Sequence, residues 1–292
     1  GKTTLLKMIY AALQYSIENQ TSGKELIHFF SNNLRDFSQM KYPGKEKDTC
    51  YYEISDGQHF FKDYLTKKNG IVSEGWKGLN IQSVFIPTTE MLSHSKGFLA
   101  MNQKYNMPFD ETQIDIIVNA SLPETKKVSQ SCEIILKEIS DVINGKVVQE
   151  DDTFYIVKND GRKIDFSLEA EGMRKLGLLW KLIRNGLLEK DSVLLWDEPE
   201  ANLNPELYPL VANILLALQK NGVQIFLATH SYNFAKYLEI RRTEKEQVLI
   251  HNLYRNDSGK EIMSVSAYKM EDLEPNHIMM ADNQLLDEVY NM

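Results

Sequence analysis

Two adjacent carboxylates at the end of an apolar run are the residues of this chain whose types and spacing best suit chemistry. Asp197 and Glu198 follow 193–196, a run with the length of a strand that is buried on both faces of a parallel sheet. Pro199 ends the strand, because proline has no amide hydrogen to donate to a neighbour. The pair should therefore lie at the carboxyl end of a central strand, where open α/β sheets bind ligands. One carboxylate can hold Mg²⁺ and the other can polarise a water molecule, whereas an acidic turn is the simpler interpretation.

The first four residues indicate a phosphate ligand. Gly1, Lys2, Thr3 and Thr4 match the end of the phosphate-binding loop G-x-x-x-x-G-K-[ST], and all four are assigned to phosphate binding. Apolar residues at helical spacing follow, so the helix would direct its first amides and its positive dipole end at the phosphates. A capped helix start explains these four residues alone, and their combination with the carboxylate pair favours nucleotide binding. The glycine-rich half of the loop is not in the sequence, which we expect to weaken that binding.

Three further sequence motifs lie before or after the carboxylates, and their order along the chain is informative. A loop around Gly172 opens an amphipathic helix, and the sequence Asn-Leu-Asn-Pro at 202–205 follows the carboxylates. Residues 223–228 have the pattern of a second buried strand, with His230 at its end. With the Gly-Lys-Thr start and the Asp-Glu pair, this order resembles the ABC-type ATPases. The greatest likeness is to the SMC-like and OLD-like branch that is often called the AAA family ATPases.

The resemblance implies an enzyme that converts ATP and water to ADP and phosphate, with ATP and Mg²⁺ as its ligands. Lys2 would neutralise charge on the β and γ phosphates, while Thr3 and Asp197 would hold Mg²⁺. Glu198 would be the general base or water-orienting group, and His230 would contact the γ phosphate. Glu198 and His230 are therefore the predicted catalytic residues.

The resemblance also implies an ATP-dependent homodimer. Gly172 and Asn202 would then complete the ATP site of a second copy. Ala170 stands where the family carries a serine that touches the partner's γ phosphate. This departure weakens the inference of a contact between the two copies, and a plain capped helix is the alternative.

Composition limits the partners. The 292 residues are 42% hydrophobic and 25% charged, as in a soluble globular protein. The net charge of −8 does not support binding to DNA, although a local basic patch could provide it. Two cysteines far apart, Cys50 and Cys132, favour a reducing compartment, and no apolar run reaches the roughly 18 residues of a membrane span. We therefore predict a cytoplasmic protein without membrane contact.

The expected fold class is α/β, a P-loop core sheet with an antiparallel β-subdomain and an inserted helical subdomain. The resemblance predicts that 1–292 is a single ABC-type ATPase domain that lacks its first strand and most of the phosphate loop. The strands at Val193 and Val223 should be adjacent and parallel. Other predicted elements are strands and hairpins in 23–87 with a strand at 80–86, the helical subdomain at 88–150, hairpins at 153–166 and 247–268, and a terminal helix at 283–290.

Three classes of function fit these patterns. The first is an ATP-driven switch or motor, acting in bacterial defence or DNA maintenance with an effector protein. The second is the nucleotide-binding subunit of a membrane transporter, which the sequence at 200–205 and the unusual loop at Gly172 disfavour. The third is a degenerate interaction module, which the joint presence of Asp197, Glu198 and His230 disfavours because only hydrolysis needs all three.

Overall fold

Eight helices and eleven strands form within the residues that the computed structural model describes, which are 1–17, 26–30, 50–64, 72–105, 107–244, 246–256, 258–259 and 261–291. The helices are α1 (Lys2–Tyr15), α2 (Phe98–Tyr105), α3 (Glu111–Ser121), α4 (Gln130–Ile143), α5 (Glu171–Arg184), α6 (Tyr208–Lys220), α7 (Tyr232–Arg241) and α8 (His277–Tyr290). The strands are β1 (Tyr51–Ser55), β2 (Phe60–Tyr64), β3 (Val72–Glu74), β4 (Ser83–Ile86), β5 (Gly145–Glu150), β6 (Thr153–Lys158), β7 (Lys163–Asp165), β8 (Val193–Asp197), β9 (Gln224–Ala228), β10 (Ile250–Arg255) and β11 (Ile262–Ala267).

A parallel sheet in the order β4-β8-β9 carries the site. β8 pairs with β4 on one side and with β9 on the other, both in parallel, so that Trp196 stands opposite Ile86 and Leu227. The predicted α/β fold and the predicted parallel neighbours at 193 and 223 are confirmed. β4 begins at Ser83 rather than at residue 80, because Asn80 has a left-handed φ of 52° that does not suit a strand.

Both faces of β8 are covered, since successive side chains of a strand point to opposite faces. Leu194 and Trp196 join the larger apolar core, to which α3 to α6 contribute. Val193 and Leu195 join a second core, which α1 covers. All five residues of β8 are buried. This burial fixes the strand end, and with it Asp197, relative to the first turn of α1.

β9 is less buried than its sequence predicted. Ile225, Phe226 and Leu227 are only half-buried. Within the described part of the chain, β9 pairs with β8 alone, and a cleft of about 890 Å³ borders it. The apolar pattern therefore predicted the strand correctly but not its place at the edge of this sheet.

The helical region lies within the predicted range. α2, α3 and α4 fall between residues 98 and 143, but the last six residues of the predicted 88–150 insertion form β5. Asn144 adopts a left-handed φ of 51° and ends α4, after which the chain turns into an antiparallel sheet of β5, β6 and β7. The division of the chain into one domain with an inserted subdomain stays a prediction.

The remaining strands are antiparallel, as β1-β2-β3 and as the pair β10-β11. The predicted strand region at 23–87 includes 31–49 and 65–71, which lie outside the described residues. α8 begins at His277, earlier than the predicted 283, because the Asn276 side chain accepts a hydrogen bond from the Met279 amide at 3.2 Å and caps it. None of the described helices has the length and apolar character needed to cross a membrane.

Candidate active site

Asp197 is the buried end of the central strand, and two hydroxyl groups reach it. The Thr3 hydroxyl, in the first turn of α1, donates to both carboxylate oxygens at 2.9 and 3.1 Å. The Thr88 hydroxyl, two residues beyond the end of β4, donates to Oδ2 at 3.0 Å. A carboxylate beside hydroxyl oxygens is a hard donor set of the type that Mg²⁺ prefers. The described residues contain no cluster of three or more His, Cys, Asp or Glu side chains that could hold a metal without a ligand's help.

Glu198, the residue after β8, has an unusual backbone conformation. Its φ is +50°, in the left-handed region that a residue with a long side chain rarely adopts. Its amide still donates to the Ala228 carbonyl at 2.8 Å, so the sheet holds it to β9 while the chain turns away. The Glu198 side chain is about one-third exposed. Such strain persists only where surrounding contacts impose it, and it is concentrated at functional sites.

His230 lies between a cation and a carboxylate. Its Nδ1 is 3.2 Å from Lys2 Nζ, and its Nε2 is 3.5 Å from Glu198 Oε1. An ammonium group can only donate, so Nδ1 must be the acceptor and Nε2 carries the proton toward Glu198. The side chain is 69% exposed, which leaves it accessible to a ligand that enters from solvent.

Lys2 is the cation at the centre of this acidic site. Partial burial lowers the pKa of Lys2, while the charges of Glu198, Glu200 and Asp197 oppose that shift. Three carboxylates therefore act on one ammonium group at the start of α1. A phosphate group that bound there would meet this ammonium and the first amides of the helix.

Glu200 was not singled out by the sequence. It is 9% exposed, and its Oε1 accepts hydrogen bonds from the Thr229 hydroxyl at 2.6 Å and from the His230 amide at 3.0 Å. Its Oε2 is buried and has no hydrogen-bond partner among the residues described. Glu200 thus links the loop after β8 to the loop after β9.

The loop after Glu198 also contacts the start of α5. Asn202, with a left-handed φ of 57°, donates from Nδ2 to Glu171 Oε1 at 2.9 Å. Gly172 faces the same loop, and a Cβ placed on it would come within 3.2 Å of Leu203 Cδ1. Ala170 precedes α5 without a side-chain cap. The two residues predicted to serve a second copy therefore lie side by side, next to the loop that follows the carboxylates.

A buried lysine fastens that loop from the other side. Lys175 of α5 is 2% exposed, and its Nζ donates to the Ala201 carbonyl at 2.5 Å, with the Glu198 carbonyl 3.4 Å away. Burial lowers the pKa of Lys175, and neighbouring glutamates, Glu171 first among them, oppose the shift. Its position in the sequence does not distinguish this lysine from the residues on the solvated face of the helix.

The structure brings most of the predicted site residues together. Lys2 contacts His230, which lies beside Glu198, and Thr3 bonds Asp197. These two sets of contacts adjoin, because each set holds one residue of the pair 2–3 and one of the pair 197–198. The other two residues of the Gly-Lys-Thr-Thr start are hydrogen-bonded to each other: the Gly1 amino group donates to the Thr4 hydroxyl at 3.3 Å. Their assigned roles stay predictions.

Three residues of the site escaped the sequence interpretation: Thr88, Lys175 and Glu200. A usable signal existed for Thr88, because it follows the strand that lies parallel to β8 and so ends at the same edge of the sheet. The other two make contacts that only the folded chain reveals.

Known proteins share a family model, short stretches of sequence and the overall fold with this chain. Residues 93–235 match a family model described as "AAA domain, putative AbiEii toxin, Type IV TA system". Arginine transport ATP-binding protein ArtP of Haemophilus influenzae is 37% identical over 65 residues, which are 22% of this chain and 27% of that protein. Glutamine transport ATP-binding protein GlnQ of Bacillus subtilis is 39% identical over 54 residues, 18% of this chain and 22% of that protein. The chain thus matches about a quarter of each relative's length.

A solved structure resembles nearly the whole chain. It is the SMC head bound to the C-winged helix domain of ScpA, with 12% identity, a TM-score of 0.51, and coverage of 93% of this chain and 89% of that one. At this identity the likeness shows the fold. The chain is therefore similar to the SMC-type and ABC-type ATPases of the AAA class, and the resemblance that its motifs indicated is confirmed.

Proposed function

We propose that this chain binds ATP with Mg²⁺ and hydrolyses it to ADP and phosphate. One observation supports this most strongly: the first turn of α1 contacts both the end of β8 and the loop that follows β9. Thr3 bonds Asp197, and Lys2 contacts His230, which in turn faces Glu198. A phosphate-binding cation and hydroxyl, a buried carboxylate and a second, solvent-accessible carboxylate are the parts that phosphoryl transfer to water requires.

In this proposal the phosphates lie at the start of α1, near Lys2. The Thr3 hydroxyl and Asp197, already joined by hydrogen bonds, are the oxygen donors that would hold Mg²⁺. When bound, Mg²⁺ would neutralise charge on the β and γ phosphates. Thr88 shares Asp197 with Thr3, so it would orient that carboxylate.

Glu198 is the group we assign to the attacking water. As the water oxygen bonds to the γ phosphorus, the bond from that phosphorus to the bridging oxygen breaks, and a water proton passes to Glu198. His230 presents its Nε2 hydrogen on the side of Glu198, so it can donate to a γ-phosphate oxygen that approaches the same place. Its contact would then report whether the γ phosphate is present.

We further propose that ATP joins two copies of the chain. The start of α5 has no side-chain cap, so its first amides are available to an anion. Gly172 and Asn202 lie next to each other at this helix start, beside the loop that leaves Glu198. A second copy that presented this surface would meet the phosphates from the side opposite Lys2.

The test compares Glu198→Gln with Lys2→Ala in the full-length protein. Gln keeps the shape of Glu198 but cannot take a proton, so turnover should fall roughly 10²- to 10⁴-fold with ATP binding preserved. Lys2→Ala should lose binding and turnover together. Sedimentation should show an ATP-dependent dimer for Glu198→Gln. Glu133→Gln, an exposed residue of α4, is the matched control. Turnover at the parent rate in Glu198→Gln would reject hydrolysis at this site.

The biological role is a separate proposal. We favour a switch or motor that works with an effector protein in bacterial defence or DNA maintenance, which the toxin–antitoxin wording of the matched family supports. The net charge of −8 does not support binding to DNA. The local identity to two transport ATP-binding proteins favours a second candidate, the nucleotide-binding subunit of a transporter. A permease gene beside this one would favour that candidate, and a nuclease or toxin gene would favour the first.

A further inference from the structure

Glu200 holds the backbone that carries His230. Its Oε1 accepts from the His230 amide at 3.0 Å and from the Thr229 hydroxyl at 2.6 Å. Both bonds end on a charged, 9% exposed carboxylate, and charge-assisted bonds of this kind are stronger than neutral ones. The His230 ring, by contrast, is 69% exposed and has little packing to fix it. Apart from the contacts of the ring with Lys2 and Glu198, its position depends on the backbone that carries it.

The Glu200 carboxylate is also linked to the hydrogen bonds within the loop that follows β9. The Thr229 hydroxyl that donates to Glu200 also accepts from the Ser231 amide at 3.0 Å. The Ser231 hydroxyl in turn accepts from the Phe234 amide and caps α7. Glu200 thus fixes the complete turn from the end of β9 into α7.

On its other side, Glu200 belongs to the loop that follows Glu198. The Glu200 carbonyl accepts from the Leu203 amide at 3.1 Å, and the Glu198 carbonyl accepts from the Ala201 amide at 3.1 Å. Asn202 of this loop bonds Glu171 at the start of α5. A displacement of the His230 turn would therefore be transmitted through Glu200 to the start of α5.

We propose that Glu200 is a positioning residue: by holding the His230 amide it sets where His230 stands relative to Glu198, and it couples that histidine to the loop contacting α5. This inference rests on the proposed ATPase function for its catalytic consequence. The link between Glu200 and His230 can, however, be measured without nucleotide. It is the reach of the side chain, more than its charge, that the geometry requires.

Two variants separate the effect of the length of the Glu200 side chain from the effect of its charge. Glu200→Gln keeps the length and an oxygen acceptor but loses the charge. Glu200→Asp keeps the charge but is shorter by one methylene, so it cannot reach the Thr229 hydroxyl and His230 amide without moving the loop. Glu133→Asp, on the exposed side of α4, is the control for an acidic shortening elsewhere.

The first measurement is hydrogen exchange of the His230 amide in the nucleotide-free protein. Glu200→Asp should accelerate it roughly 10- to 100-fold, the loss expected for a bond to a charged acceptor. Glu200→Gln keeps a neutral acceptor at the same reach, so its exchange should be at most roughly tenfold faster than that of the parent and slower than that of Glu200→Asp. The amide of Leu195, inside β8, should not change and so shows that the fold is intact. Unchanged His230 exchange in Glu200→Asp, or faster exchange in Glu200→Gln than in Glu200→Asp, overturns the proposal.

The second measurement is ATP turnover and ATP affinity. Glu200→Asp should lower kcat roughly tenfold or more, since small misplacements of a catalytic group are costly, with the Kd for ATP little changed. Glu200→Gln should retain most of the parent kcat. A purely electrostatic role of Glu200 toward Lys2 would predict a loss of kcat in this variant. Parent protein without ATPase activity would reject the proposed function while leaving the exchange result to decide on Glu200. Fast exchange with unaltered kcat in Glu200→Asp would reject the positioning of His230 as a requirement for catalysis.

Discussion

Replacing Lys175 with methionine should destabilise the protein and slow its chemistry together. The lysine is 2% exposed and donates to the Ala201 carbonyl at 2.5 Å, with the Glu198 carbonyl at 3.4 Å. Methionine has a similar length and no donor. A bond from a charged donor contributes about 1.5–3 kcal/mol, and the variant also removes that donor from two carbonyl oxygens in a part-buried place.

An opposing effect sets the net magnitude. Burial lowers the pKa of Lys175, which shows that keeping the ammonium charged inside the protein costs free energy. Methionine removes that cost, and apolar replacements of buried charges recover part of the loss. We therefore expect the free energy of unfolding to fall by about 1–3 kcal/mol.

Lys181 of the same helix provides a matched control. It is 5% exposed, and the one contact of its Nζ within the described part of the chain is with Glu124, at 3.3 Å, whose side chain is 38% exposed. An ion pair with such a partner contributes at most about 1 kcal/mol. Urea unfolding should therefore separate Lys175→Met from Lys181→Met, and only Lys175→Met should lower ATP turnover. Equal stability of the two variants, or full activity of Lys175→Met, would refute the claim that Lys175 fastens the loop after Glu198.

Two further predictions concern the antiparallel sheets. Burial raises the pKa of Asp63 to about 6, so between about pH 4 and 6 the unfolded state binds fewer protons than the folded state and stability falls as pH rises. Asp63→Asn should remove this slope and stabilise the protein at pH 7 by at most roughly 3 kcal/mol; parallel pH profiles of unfolding would contradict it. Gly145→Ala would place its Cβ 2.2 Å from the Val157 carbonyl oxygen, so we expect a loss of about 1–3 kcal/mol or more in thermal unfolding. Gly161→Ala meets no atom within 4 Å but has a φ of +86°, so its loss should reflect backbone strain alone, roughly 1–2 kcal/mol.

The core of the fold was predictable because burial on both faces leaves a simple signature. The run at 193–196 is uninterruptedly apolar, and the structure places it between two apolar cores. The proline after Glu198 and the Gly-Lys-Thr start are local signals, since each constrains only its own backbone. The contacts of Lys2 with His230 and of Thr3 with Asp197 then follow from strands that end at one edge of the sheet.

Contacts between residues that are far apart in the chain could not be predicted from the sequence. Lys175 has the pattern of a solvated helix residue, yet the loop of 198–203 covers it. Glu200 appears as one more acid in an acidic turn, and only the neighbouring β9 shows what it bonds. β9 itself has an apolar pattern that does not reveal its place at the edge of the sheet.

The left-handed backbone of Glu198 has a consequence for how this chain can change over generations. A side chain with a Cβ at φ +50° carries strain of about 1–2 kcal/mol, which glycine would escape and asparagine would reduce. Selection for stability and selection for hydrolysis therefore favour different residues at this position. If the proposed hydrolysis is the use of this carboxylate, a lineage that no longer hydrolyses ATP would gain stability by losing this glutamate. Where Glu198 persists against that pressure, its carboxylate is under selection for use.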